Sequence, residues 1–105
     1  MFNADIIKET VYYVMPPEMV DQIIIFGSSA RGDVTVDSDT DICIITHKKL
    51  SYDESKRYRG QMNRIFAFKH RMATDILLKS SDEYARYREV IGAIENEIMR
   101  DGVAV

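Results

Sequence analysis

The chain has 105 residues and a mass of 12.1 kDa, enough for one hydrophobic core and too little for two. Hydrophobic residues make up 46% and charged residues 30%, the proportions of a folded globule rather than of a disordered chain. A net charge of −3 argues against nonspecific nucleic-acid binding, and a single cysteine with two histidines excludes an internal disulfide and a structural zinc site.

No apolar run approaches membrane-spanning length, and the N-terminus lacks a basic-then-apolar leader, so one cytoplasmic domain over residues 1–105 with no membrane contact is expected. Charge is unevenly spread. From Lys48 to Arg71 eight Lys/Arg face only Asp53 and Glu54, a balance of +6 that leaves −9 for the rest. We read this run as a solvated helix face, able in principle to meet phosphates or an acidic partner.

Ile7, Val11 and Val14 recur at helical spacing before Pro16-Pro17, which predicts a helix over Asp5 to Met15. Gln22 to Phe26 is a β-branched run closed by Gly27 and reads as a buried strand, as does Asp41 to Thr46. Ser51 and Glu54 form a capping-box pattern before Tyr58, Met62, Ile65 and Phe66, which predicts a helix to about Phe68. Thr74 to Leu78 is a third strand. Ser80 and Glu83 repeat the capping pattern ahead of Tyr87, Ile91, Ile94 and Ile98, so one helix is expected up to Gly102, with Val103 to Val105 as an edge strand. The result is an α/β fold, a small mixed β-sheet with helices packed on it. The helices ending near Met15, Phe68 and Asp101 are expected on one side, with Ile23, Ile25, Phe66, Ile94 and Ile98 in the core.

The chemistry concentrates between Phe26 and Asp41. Phe26-Gly27-Ser28-Ser29-Ala30-Arg31-Gly32-Asp33 follows a strand, but Asp33 occupies the place a P-loop gives to lysine and would repel phosphate. A glycine at 27 still lets backbone approach a triphosphate closely. Asp39 and Asp41 lie two apart at a strand start, so they share a face, and paired carboxylates call for a hard cation such as Mg2+. Asp75 is a further lone acid in an apolar strand. Three such acids on neighbouring strands suit a two-metal site for in-line displacement.

Gly27-Ser28, ten intervening residues, then Asp39-Thr40-Asp41-Ile42 resembles the signature of the polymerase-β-type nucleotidyltransferase superfamily, with Asp75 in the place of its third acid. Phe26 to Asp33 and Ser38 to Asp41 resemble its minimal nucleotidyltransferase (MNT) proteins, over nearly the whole chain. Two positions depart from the pattern: Ser29 stands where arginine is usual, and Thr40 where an aliphatic residue is usual.

The resemblance implies a polymerase-β-type palm that moves a nucleoside monophosphate, AMP from ATP, onto a hydroxyl and releases pyrophosphate. It implies two Mg2+ ions on Asp39 and Asp41, with Asp75 ligating the catalytic ion and helping to deprotonate the acceptor. Gly27 and Ser28 would hold the β- and γ-phosphates, with Arg31 as an added charge. A palm this short lacks a domain to grip an acceptor, and the resemblance supplies a partner: a helical HEPN ribonuclease, the toxin of a toxin–antitoxin pair, silenced by adenylylation of a tyrosine. Non-catalytic occlusion of such a partner and small-molecule transfer of the aminoglycoside type are the alternatives, and a homo-oligomer is left open. Arg64 and His70 match the arginine-to-histidine spacing of HEPN proteins only superficially, and Tyr12-Tyr13 read as core and rim residues.

Overall fold

The computed structural model describes residues 3–27, 30 and 39–105. Helix α1, Ala4–Val14, begins one residue before the expected Asp5, because Asn3 caps it by accepting from the Asp5 and Ile6 amides at 3.1 and 3.2 Å. Pro16-Pro17 then redirects the chain through a short 3-10 turn, Pro17–Met19, into strand β1, Val20–Phe26. Strand β2 spans Thr40–Thr46. Helix α2, Tyr52–His70, carries the expected capping box: the Ser51 hydroxyl accepts from the Glu54 amide and the Glu54 carboxylate from the Ser51 amide, each at 3.1 Å. Those bonds hold the Glu54 carboxyl below its ordinary pKa.

Strand β3, Thr74–Ser80, follows. The expected long final helix is broken instead: α3, Ser81–Tyr87, is separated from α4, Ile94–Asp101, by a turn in which Gly92 adopts φ +94°. Only glycine takes that conformation without strain, and a mid-helix glycine costs about 1 kcal/mol relative to alanine, so the break falls where helix is weakest. Ile91 is left 93% exposed on the turn, and Ile94 is 37% exposed rather than core. Val103–Ala104 forms β4.

The sheet order is β3-β2-β1-β4, with β1 antiparallel to β2 and β4 and β2 parallel to β3. Both of its faces are covered, which corrects the expectation of helices on one side. On one face Ile23, Ile25, Ile42, Ile44 and Ile76 meet Ile7 and Val11 of α1 and Met62 and Phe66 of α2. On the other, Ile24, Phe26, Cys43 and Ile45 meet Ile98 of α4, with Leu77 and Tyr84 half-buried beside them. Unbroken apolar strands demand this, since every residue in them, whichever way it points, must leave water.

The second face is held by charge as well. Glu95 on α4 is only 5% exposed, and its carboxylate lies 3.5 Å from the Lys79 ammonium, which also reaches Glu83 at 3.5 Å. Burial alone would lower the Lys79 pKa, but the Glu83 and Glu95 carboxylates reverse that and hold it above its ordinary value. Ile98, 1% exposed, is the apolar anchor of this face. Ile98→Ala should cost about 2–5 kcal/mol in urea unfolding. A loss below about 0.5 kcal/mol, typical of surface sites, would show that α4 is accessory to the core.

Candidate active site

The alternation that fills the second face also places the acids. Asp41, Cys43 and Ile45 point the same way along β2, and Cys43 and Ile45 belong to the α4 side. On β3 the same side is taken by Asp75, Leu77 and Lys79. The parallel register pairs Asp41 with Asp75, so the two acids stand side by side on one face at the start of adjacent strands. Asp39 lies one residue before β2 and is exposed, as is Asp75, while Asp41 is half-buried.

Beneath Asp41 sits the end of β1. Phe26 pairs with Asp41, and the next residue, Gly27, turns away with φ +70°. A Cβ at Gly27 would run into the Asp41 carboxylate, with Asp41 Cγ at 3.1 Å. Glycine is therefore required twice over here, for its backbone angle and for the space the carboxylate takes. Nothing in sequence spacing alone revealed that second requirement.

Ser28 and Arg31, the other expected phosphate contacts, lie outside the described residues. Among the described residues no three Asp, Glu, His or Cys side chains form a ready metal-ligand group. What the strands supply is the pairing of Asp41 with Asp75. The donor set suits Mg2+ in kind, being all carboxylate oxygen, and the glycine floor keeps carbon out from under Asp41.

Cys43 lies one position deeper on the same row and is fully buried; burial pushes its thiol up to about 12, the neighbouring Lys79 opposing and Glu95 reinforcing the shift. It is structural, not nucleophilic. A thiol reagent near pH 8 should label Cys43 only once the chain is denatured, and rapid labelling of the native protein would contradict this placement.

The clefts between α1 and α2 are on the opposite side of the sheet. One, of about 300 Å³, is lined by Glu9, Thr10, Tyr13, Ile65, Lys69 and His70, and Arg64 lines its neighbour. Arg64 and His70 thus belong to different clefts on one helix. Tyr12 and Tyr13 are 41% and 82% exposed, both rim residues rather than core.

The family model described as polymerase beta, nucleotidyltransferase, matches residues 8–101. The chain belongs to the polymerase beta nucleotidyltransferase family. It is a nucleotidyltransferase domain with that family's mixed sheet. No curated protein matches it in sequence.

Among solved structures it is similar to MntA antitoxin chains of toxin–antitoxin complexes. One is from the MntA–HpeT complex carrying two aspartate-to-glutamate substitutions, with 16% identity, TM-score 0.70, and coverage of 98% of this chain and 72% of that one. Another is from a toxin–antitoxin structure with AMP-PNP, with 18% identity, TM-score 0.65 and coverage of 98% and 72%. A third is from tri-AMPylated Shewanella oneidensis HEPN toxin in complex with MNT antitoxin, with 16% identity, TM-score 0.56 and coverage of 95% and 66%. At these identities the likeness is one of fold. Among the described residues no helix is long and apolar enough to cross a membrane.

Proposed function

We propose that residues 1–105 act as a single Mg2+-dependent adenylyltransferase domain that moves AMP from ATP onto a tyrosine of a HEPN-type partner, as the antitoxin of a pair. The observation that carries this reading is the placement of Asp41 beside Asp75 and directly over Gly27. Family membership supports the reaction class, and solved neighbours that include an AMP-PNP complex and an AMPylated HEPN toxin support the nucleotide and the acceptor.

In this reading Asp39, Asp41 and Asp75 hold two Mg2+ ions, which when bound neutralise triphosphate charge and acidify the acceptor hydroxyl. Asp75, exposed at the strand start, helps to take the acceptor proton as the new oxygen–phosphorus bond forms and the bond to the β-phosphate breaks. Pyrophosphate leaves against backbone at Gly27 and Ser28, with Arg31 adding positive charge. The conformation of Gly27 keeps that backbone approachable. Positioning and charge neutralisation supply most of such a transfer, so a small palm suffices once a partner presents the hydroxyl. A cytoplasmic location is part of the same proposal, since the reaction draws on ATP and on a toxin partner.

The test is mass spectrometry of a HEPN-type protein, co-purified with this chain or found encoded beside it, after incubation with ATP and Mg2+. One or more added AMP masses on tyrosine support the proposal. An unmodified partner that is nevertheless inactivated would favour occlusion.

A further inference from the structure

We infer that Asn63, on the side of the sheet away from the acids, is a positioning residue that sets Asp75 through Thr74. The inference rests on the active-site reading above, in which Asp75 ligates metal. Thr74 and Asp75 are neighbours on β3 and point to opposite faces, Thr74 with Ile76 toward the α1–α2 side. There the Thr74 hydroxyl donates to the Asn63 side-chain oxygen Oδ1 at 2.8 Å, a bond from strand to helix across eleven residues.

Position makes this bond consequential. Thr74 is the first residue of β3, where the ladder with β2 begins: Thr40 pairs with Thr74, and the Thr40 amide donates to the Ala73 carbonyl at 2.9 Å. Strand ends fray unless tied. The acids lie at this end, so whatever fixes Thr74 also fixes the relation of Asp75 to Asp41. Asn63 supplies the tie from α2, whose Met62 and Phe66 are fully buried and hold the helix to the sheet. Asn63 itself is exposed, and its side chain joins α2 to the first residue of β3. Groups that orient metal ligands at one remove commonly change metal affinity by about 10–100-fold when lost.

The experiment measures Mn2+ affinity of the whole chain, without nucleotide, from the free-ion EPR signal. Asn63→Ala and Thr74→Val should each weaken Mn2+ binding about tenfold. The double variant should be no weaker than either single one, because both remove one bond. Thr74→Ser, which keeps the hydroxyl, should bind like the native protein. Unfolding midpoints separate loss of position from loss of fold: weakened binding with a near-native midpoint supports positioning. Asp75→Asn is the control. If it loses Mn2+ while Asn63→Ala and Thr74→Val bind normally, or if their effects simply add, the inference is overturned and the active-site reading stands. Native Mn2+ affinity in Asp75→Asn overturns that reading, and this inference with it.

Discussion

Asp41→Asn should lower nucleotide transfer by at least about 10²–10³-fold, the loss typical of removing one preorganised electrostatic group. Asparagine keeps the shape that fits over Gly27 but offers a neutral oxygen where a cation needs a charge. Asp41 is also the most enclosed of the three acids, with Phe26 paired on one side and Asp75 on the other. The variant should keep its circular dichroism spectrum and its binding to a HEPN-type partner, since the substitution leaves the α1, α2 and α4 packing untouched. It should fail to add AMP to that partner and fail to protect cells from it. Equal protection by native and Asp41→Asn chains, with no mass added by either, would defeat catalysis and establish occlusion.

Local signals were legible where one short segment decides the outcome. Ser51 and Glu54 satisfy each other's amides as their spacing demands, and Gly102 ends α4, its amide donating to the Ile98 carbonyl at 2.8 Å. Asp41 drew attention in the sequence because a polar turn poorly explains an acid that begins an otherwise apolar strand. Two features depended on contacts distant in sequence. The row Tyr87, Ile91, Ile94 and Ile98 keeps helical period straight through the turn, so periodicity alone predicts one helix. Gly92 was the available counter-signal, and tertiary packing used it, bringing Ile98 onto Ile24, Phe26, Cys43 and Ile45 while stranding Ile91 in water. The strands themselves also held a signal for two covered faces: Ile23 to Phe26 and Ile42 to Ile45 contain no polar alternation, the pattern of a sheet buried on both sides. The alignment of Asp75 with Asp41 needs the parallel register, which no local pattern specifies.

Gly27→Ala is the sharpest test of the site's geometry, because alanine adds one methyl group and changes no charge. At φ +70° that methyl costs about 1–2 kcal/mol in backbone conformation alone. It also enters the space of the Asp41 carboxylate, so Asp41 must rotate away or β1 must shift at its end. Either movement separates Asp41 from Asp75, and displacements near 1 Å cost about 10²-fold in positioned reactions. The expected result is a transfer rate down by roughly that factor, together with a stability loss of about 1–2 kcal/mol in urea unfolding. Gly60→Ala is the matched control. Its methyl would meet only the Arg64 guanidinium at 3.5 Å on the mid-section of α2, so the same substitution should leave transfer unchanged and stabilise the chain by about 0.5–1 kcal/mol. Opposite signs at the two glycines would tie the effect to the floor beneath Asp41 rather than to glycine replacement as such. Native transfer by Gly27→Ala, with an unchanged unfolding midpoint, would mean that the carboxylate does not need this floor and that phosphate approach must be sought elsewhere along the chain.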